Sequence, residues 1–140
     1  AKALKKESND YDNDMSLVCM LYFEGYRLLF TGDIEKIRIG EILEENRATL
    51  SGFEDSGKPG IQLDCDWIKM PHHGRYQKKI KALLEACTPQ YAVITDSVKI
   101  PAETDTVVLL QQMKIDTFMT RMGEIVTIVD KDGINVEYAE

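Results

Sequence analysis

The sequence predicts an α/β fold in which one mixed β-sheet is flanked by helices. Short apolar segments alternate with amphipathic segments at helical spacing, and a hairpin pattern stands near each end of the chain. The 140 residues are 44% hydrophobic and 29% charged, which is ordinary for one globular domain. A chain of this length buries roughly 68–70% of its unfolded surface, so it can form a core without disulfide or metal staples.

The first elements in the chain are a β-hairpin and a helix. Met15 to Phe23 is dense in β-branched, aromatic and aliphatic residues, and Tyr26 to Phe30 resumes that pattern after Glu24-Gly25, as expected for a hairpin. Thr31-Gly32-Asp33 closes the second strand. Ile34 to Glu45 then carries isoleucine and leucine near helical spacing among Glu and Lys, which predicts an amphipathic helix.

The rest of the chain alternates strands and helices. Gly52 to Gly60 is the segment richest in structure breakers, so it predicts a loop. The next elements are predicted to be a strand at Asp66 to Met70, a helix at Tyr76 to Cys87, a strand at Tyr91 to Thr95, a helix at Glu103 to Lys114 and a strand at Thr117 to Thr120. Glu124 to Val129 and Ile134 to Tyr138 alternate apolar and polar residues around an Asp-Gly turn, which predicts a terminal hairpin.

Charge and apolar patterning exclude several classes of protein. The 17 Lys and Arg against 24 Asp and Glu give a net charge of -7, whereas a general binder of nucleic acid or anionic membranes needs a positive field. The longest apolar run, Met15 to Phe23, is far short of the ~20 residues that span a bilayer, so no membrane segment is predicted. Cys19, Cys65 and Cys87 form no CxxC pair, which favours buried free thiols over a zinc ribbon or a disulfide framework.

The beginning of the chain differs in composition from the rest. It opens Ala1-Lys2-Ala3 without a methionine, and its first fourteen residues are polar and rich in charge. We therefore expect residues 1–14 to be a polar lead-in that is not a natural start, and residues 15–140 to form the domain.

The only two histidines are adjacent, in Pro71-His72-His73-Gly74, just beyond a predicted strand. Neutral imidazole is the commonest protein ligand for zinc and a natural general acid or base near neutral pH. Gly74 permits close approach of another backbone or a ligand. The alternative is a pair of surface or capping histidines, since adjacent side chains in extended backbone point apart and cannot both bind one ion.

Thr31-Gly32-Asp33 places a carboxylate after a second strand end. Such a carboxylate can bridge divalent cations at the mouth of a sheet. Because Asp33 immediately precedes the predicted helix, the alternative is an N-cap, a position that Asp favours.

Taken in order, these segments resemble the second half of the metallo-β-lactamase fold. The resemblance rests on Asn13 to Val18, Leu28 to Asp33, Ile68 to Gly74 and Tyr91 to Thr95, and it covers nearly the whole chain. It is strongest to the branch found in DNA-uptake competence proteins and related phosphoester hydrolases. It implies an α-β-β-α sandwich of which this chain is the C-terminal half.

The resemblance also implies a metal site at the edge of two facing sheets. One or two divalent metals, usually zinc, would activate water and stabilise the charge that develops. Asp33 matches the metal-bridging carboxylate and His73 a metal-ligand histidine, with His72 assigned to the substrate or leaving group. The reverse assignment of the two histidines stays open, and Arg75, beside the site, is a candidate for substrate binding.

Four departures from the family pattern stand against a complete enzyme. The family's first metal motif, His-x-His-x-Asp-His, and a further isolated ligand histidine are absent. Arg75 stands where the family usually has Ser, and Ile100-Pro101-Ala102-Glu103 lacks a His-Pro pair. We therefore expect weak or no zinc binding by this chain alone.

Basic residues crowd around the histidines in an otherwise acidic chain, as would suit an anionic phosphoester, either a small molecule or a nucleic acid. The alternative is the solvated face of a helix. The residues concerned are Lys69, Arg75, Lys78, Lys79 and Lys81.

Two hypotheses of function follow. The first is the C-terminal portion of a metal-dependent hydrolase that cleaves a phosphoester in the complete protein and is inactive as this chain, with the missing N-terminal half as its partner. The second is a non-catalytic binding domain on a degenerate scaffold of the same fold. Because the strand Ser16 to Phe23 is apolar on both faces, the chain without a partner sheet is also expected to form a homodimer or larger assembly.

Overall fold

The computed structural model describes residues 11–52 and 60–140, and within them the predicted mixed α/β class is confirmed. Residues 1–10 of the predicted lead-in and Phe53 to Pro59 of the predicted loop lie outside the described residues. No helix in the described part of the chain is long and apolar enough to cross a bilayer.

A mixed five-stranded sheet forms the centre of the fold, in the order β1-β2-β3-β4-β5. The strands are β1 (Cys19–Phe23), β2 (Tyr26–Phe30), β3 (Trp67–Lys69), β4 (Tyr91–Ile94) and β5 (Asp116–Met119). Strands β1 and β2 are the predicted antiparallel hairpin, with Leu21 opposite Leu28, and β2 to β5 run parallel. Parallel neighbours need crossover connections, and helices supply them here.

The helices and the terminal hairpin complete the architecture. They are α1 (Tyr11–Asp14), α2 (Lys36–Leu50), α3 (Ile80–Cys87), α4 (Thr104–Gln112), and a two-stranded sheet of β6 (Ile125–Asp130) and β7 (Gly133–Tyr138). A tight turn at Pro71–Gly74 follows β3, and a short 3₁₀ segment at Thr120–Met122 follows β5.

Several element boundaries differ from the sequence prediction. Strand β1 begins at Cys19 rather than Met15, because the Ser16 amide bonds back to the Asn13 carbonyl and turns the chain before the strand. Helix α2 continues to Leu50, past Glu45. Helix α3 begins at Ile80 rather than Tyr76, since a turn closed by the Ile80 amide and the Gln77 carbonyl precedes it. Cys65 and Cys87 are buried as predicted, whereas Cys19 is exposed.

The core lies in two layers on opposite faces of the central sheet. On one face, alternate strand residues such as Leu29, Ile68 and Ile94 pack against apolar residues of α2, α3 and α4. On the other face, Leu28, Trp67 and Val93 form a second cluster. This alternation follows from the two-residue period of a strand, which sends successive side chains to opposite faces.

The terminal hairpin covers part of the second face. Val136 is buried against the second cluster, together with Ile125, Val129 and Ile134 of the hairpin, and the Trp67 indole donates a hydrogen bond to Thr127 at 3.1 Å. The hairpin therefore folds back over part of the face that a partner sheet would otherwise cover. The polar alternation of the hairpin reflects a strand pair with one face on the sheet and one in solvent.

Self-association stays a prediction, and the structure indicates which strand would form the interface. Beyond the hairpin, the edge strand β1 leaves Leu21 51% exposed, with Phe23 and Phe30 beside it. Because edge strands pair readily, we expect light scattering coupled to size exclusion to show a concentration-dependent dimer joined at β1. Leu21→Glu should shift that dimer to monomer. Ile128→Glu, at a residue 50% exposed on the hairpin, is the matched control. A monomer at high concentration would contradict the prediction.

Candidate functional site

The candidate site lies where the parallel strands β2, β3 and β4 end. In open α/β sheets ligands bind in the crevice outside the carboxyl ends of the strands. Asp33 follows β2, the His72-His73 pair follows β3, and Thr95 follows β4. Since these strands are neighbours in the sheet, residues that are distant in sequence meet at one edge.

The segment after β2 is fixed against the segment after β3. The buried Thr31 hydroxyl donates to the Lys69 carbonyl at 2.5 Å, and the His72 amide donates to the Gly32 carbonyl at 3.1 Å. Gly32 is left-handed at φ 58°, and a Cβ there would lie 2.7 Å from Cβ of Ser16, so only glycine fits. The Asp33 carboxylate is thereby held at the mouth of the sheet.

Lys69 lies under the Asp33 loop. Its ammonium group donates to the Gly32 carbonyl at 2.8 Å and stands 3.8 Å from Oδ1 of Asp33. Partial burial lowers the pKa of Lys69, and the Asp33 carboxylate opposes that shift. Lys69 therefore stabilises the charge and position of Asp33.

The histidine loop has an unusual backbone. His72 and His73 both adopt left-handed conformations, at φ 44° and 55°, and Gly74 follows at φ 79°. Such conformations cost about 1–3 kcal/mol per non-glycine residue and concentrate at functional sites. Because the backbone is not extended here, both imidazoles line the same cavity, with ring centroids 5.9 Å apart.

Asp33 and His73 converge, as the paired strand-end motifs predicted. Nε2 of His73 stands 3.4 Å from Oδ1 of Asp33, and Nδ1 of His73 stands 2.7 Å from the Thr95 carbonyl. A carbonyl oxygen only accepts, so Nδ1 carries a proton and donates it. In a neutral imidazole Nε2 then has a lone pair facing a carboxylate oxygen. Two acceptors then face each other, and a proton on Nε2 or a cation between them would satisfy both.

His72 contacts a different carboxylate, that of Glu35. Nδ1 of His72 bonds to Oε1 of Glu35, whose side chain is only 10% exposed, and Gln77 donates to Oε2 of Glu35 at 3.3 Å. The carboxylate fixes the proton on Nδ1 and leaves Nε2 free to accept. Analysis of the sequence missed Glu35. The available signal was a carboxylate next to the apolar Ile34 at a strand end.

The N-cap alternative for Asp33 is wrong, because Asp14 takes that role. Oδ1 of the buried Asp14 accepts hydrogen bonds from the Glu35 amide at 2.7 Å and the Arg38 amide at 3.2 Å. These amides lie at the start of α2, where backbone donors have no partner within the helix. Asp14, which we placed in the polar lead-in, thus leaves Asp33 free of the helix end, and Asp33 faces His73 instead.

A cavity of about 360 Å³ opens beside the histidines. Its lining consists of His72, His73, Arg75, Ile100, Pro101 and Glu103. The Arg75 guanidinium lies between Glu35, at 3.9 Å, and Glu103, at 3.8 Å, and is half exposed. Glu35 and Glu103 thus flank Arg75, and Asp33 lies beside Lys69, so three carboxylates stand next to two basic side chains. Without added positive charge, this arrangement does not favour an anion.

Two of the lysines predicted to surround the histidines serve the helices instead. Lys79 extends across Gly40 of α2, and Lys81 forms an exposed ion pair with Glu85 at 3.9 Å. Exposed pairs of this kind contribute about 0–1 kcal/mol. Lys69 and Arg75 are the basic residues that the site places next to the carboxylates.

The residues present fit a divalent cation in part. Asp33 and His73 supply a carboxylate oxygen and an imidazole nitrogen whose other ring nitrogen is anchored on a carbonyl, as is usual for metal-ligating histidines. Within residues 11–52 and 60–140, no group of three or more His, Cys, Asp or Glu side chains is arranged to hold a metal. A catalytic zinc site uses about three protein ligands. Asp33 and His73 would supply two of them.

We predict weak zinc binding by this chain alone, with a dissociation constant well above those of complete sites. Calorimetric titration measures it, with Asp33→Ala as the test variant and Asp132→Ala, in the exposed β6–β7 turn, as the control. Two ligands hold zinc poorly compared with the three or four of natural sites. Tight stoichiometric binding that is lost in Asp33→Ala would mean that further ligands come from the chain or from a second copy.

Comparison with known proteins gives no assignment for this site: no protein-family model matches the chain, and no curated protein matches it.

Proposed function

We propose that this chain is the C-terminal portion of a metal-dependent phosphoester hydrolase. The observation that carries the proposal is the pair of facing acceptors, Nε2 of His73 and Oδ1 of Asp33, 3.4 Å apart at the strand ends. A cation between them satisfies both groups. Two acceptors that face each other without a proton or a cation between them repel each other, and side-chain exposures of 52% for His73 and 37% for Asp33 leave the pair open to an ion from solvent.

The architecture supports the same proposal at the level of the fold. The described elements are a mixed sheet with helices on one face and a hairpin on part of the other. We take this as the second half of an α-β-β-α sandwich, in which a second sheet from the missing N-terminal half would cover the exposed apolar residues of β1. That half would also supply the ligands that complete the site.

In this proposal each of the four site residues has a role that its contacts support. Asp33 and His73 would hold the metal, which when bound supplies an activated water and stabilises developing negative charge. His72, whose Nδ1 proton is fixed by Glu35, has Nε2 available to hold or deliver a proton at the leaving oxygen. Arg75 would bind a phosphoryl oxygen, for which its half-exposed guanidinium has free donors.

The charges around the site predict how substrate binding depends on the metal. Three carboxylates against two cations repel an anionic substrate, and a divalent cation at Asp33 and His73 reverses that balance. Binding of a phosphoester should therefore depend on the metal.

The test uses the complete protein and the hydrolysis of bis-p-nitrophenyl phosphate with added zinc. Loss of an outer partner of a metal ligand costs about 10–100-fold in activity, so loss of the ligand in Asp33→Asn should cost at least about a hundredfold in kcat/KM. Asp132→Asn, in the exposed hairpin turn, should keep full activity. His72→Gln should lower kcat more than it raises KM, because its role is in proton transfer.

The non-catalytic alternative gives the opposite results. A complete protein that hydrolyses no phosphoester with any divalent metal, or whose activity is indifferent to Asp33→Asn, would overturn the proposal. The residues encoded upstream of Ala1 offer an independent check. A His-x-His-x-Asp-His motif there supports the enzyme, and its absence supports the binding domain.

A further inference from the structure

The loop after β4 carries large apolar side chains in solvent beside the candidate site. Val98 is 83% exposed and Ile100 is 71% exposed. Single exposed apolar residues are common on protein surfaces and need no explanation. Ile100 differs, because it and Pro101 form one wall of the cavity whose other walls are His72, His73 and Arg75. We call Ile100 and Pro101 the apolar platform.

The platform stands on a loop that its hydrogen bonds make rigid. The Asp96 carboxylate, whose side chain is fully buried, accepts from the Ala102 amide at 2.9 Å and from the Arg121 amide at 3.0 Å. Within the loop the Ile100 amide donates to the Ser97 hydroxyl at 3.0 Å, and the Ser97 amide donates to the Ile100 carbonyl at 3.2 Å. These bonds hold the Ile100 backbone in place, with its side chain in solvent.

The same loop is joined directly to the histidine loop. The Glu103 amide donates to the Gly74 carbonyl at 3.3 Å, and Ala102 packs where a Gly74 side chain would be. The platform thus holds a fixed position relative to His72 and His73. A fixed apolar wall beside fixed polar groups is the usual construction of a small-molecule site, in which apolar surface gives affinity and polar groups give orientation.

From this juxtaposition we propose that the site accepts phosphoesters whose ester group is apolar and planar, such as an aryl group, held against Ile100 and Pro101. This proposal rests on the proposed function for the phosphoryl end of the ligand. The cavity of about 360 Å³ leaves room for an organic group beside a phosphoryl group. A substrate with a small polar ester group would leave the platform in water.

The experiment compares two diesters of equal charge, dimethyl phosphate and methyl phenyl phosphate, which differ by one ring. Each is titrated into the isotopically labelled chain in excess zinc, and dissociation constants are taken from amide shifts. Burial of apolar surface contributes roughly 25 cal/mol per Å², so the phenyl ester should bind about five- to tenfold more tightly. Ile100→Ser should abolish that preference. Val98→Ser, in the same loop but outside the cavity, should keep it.

The ratio of the two constants separates this inference from the proposed function. If the proposed function fails, Asp33→Asn leaves the dissociation constants of both esters unchanged. Tighter binding of the phenyl ester, and its loss in Ile100→Ser, would still show that the apolar platform contacts the ring. If the platform inference fails, both esters bind the unchanged chain equally, or the preference survives Ile100→Ser. Failure of the chain to bind either ester at millimolar concentration, with zinc raised above the dissociation constant that the calorimetric titration gives, also overturns the inference.

Discussion

Replacing Gly74 with alanine is expected to lower the free energy of unfolding by about 3 kcal/mol, from left-handed strain and overpacking together. Gly74 has φ 79°, and a Cβ there would lie 2.7 Å from Cβ of Ala102 and 2.9 Å from a methyl group of Ile94. Ala102 and Ile94 belong to the buried core, so neither can move aside easily. Urea denaturation followed by circular dichroism measures the change.

Gly25→Ala is the matched control for this prediction. Gly25 has φ 84°, almost the same conformation, but nothing lies within 4 Å of the position that its Cβ would take. This control should cost only the strain, about 1–2 kcal/mol. Equal losses in the two variants would show that the His72-His73-Gly74 loop is not packed against Ala102 and would remove the rigid link to the platform.

A second large effect is expected from Asp96→Ala, which should cost about 3 kcal/mol because it leaves buried donors and a charge without partners. The Asp96 carboxylate accepts from the Ala102 and Arg121 amides and lies 3.5 Å from the Arg121 guanidinium. The variant should lose stability in the loop after β4 as well as in the fold as a whole. Hydrogen exchange at the Ala102 and Arg121 amides should quicken more than exchange in β3.

Asp130→Ala provides the comparison for Asp96. Asp130 also accepts a backbone hydrogen bond, from the Asp132 amide at 2.8 Å, but in an exposed turn where water replaces it. Its loss should cost under about 1 kcal/mol. If Asp96→Ala were as mild as Asp130→Ala, the loop after β4 would be held by something other than Asp96.

The sequence was informative wherever local chemistry determines structure. The hairpin of β1 and β2 and the terminal hairpin of β6 and β7 could be predicted from apolar patterning and from the turn residues between their strands. Asp33 and His73 could be brought together from sequence because each follows a predicted strand end and because both match the family that the chain resembles. The parallel order of β2, β3 and β4, which makes those strand ends meet, was not predicted.

What the sequence could not supply depends on contacts between distant segments. Asp14 looked like part of a polar lead-in, yet it caps α2 from across the chain. Glu35 carries no local sign that His72 will lie against it. The alternation of the terminal hairpin shows that it has one buried face but not which surface covers that face. Each of these depends on tertiary packing, which no short segment encodes.

The parallel order of β2, β3 and β4 has a kinetic consequence. Parallel strands meet only after long crossovers have closed, and such non-local pairing slows folding. Asp33, His73 and Thr95 come from three such strands, so their cluster exists only once the sheet is assembled. An ion or substrate bound there has no counterpart in the unfolded chain and stabilises the folded state by mass action. Occupancy of the site should therefore lengthen the lifetime of the folded chain rather than speed its formation.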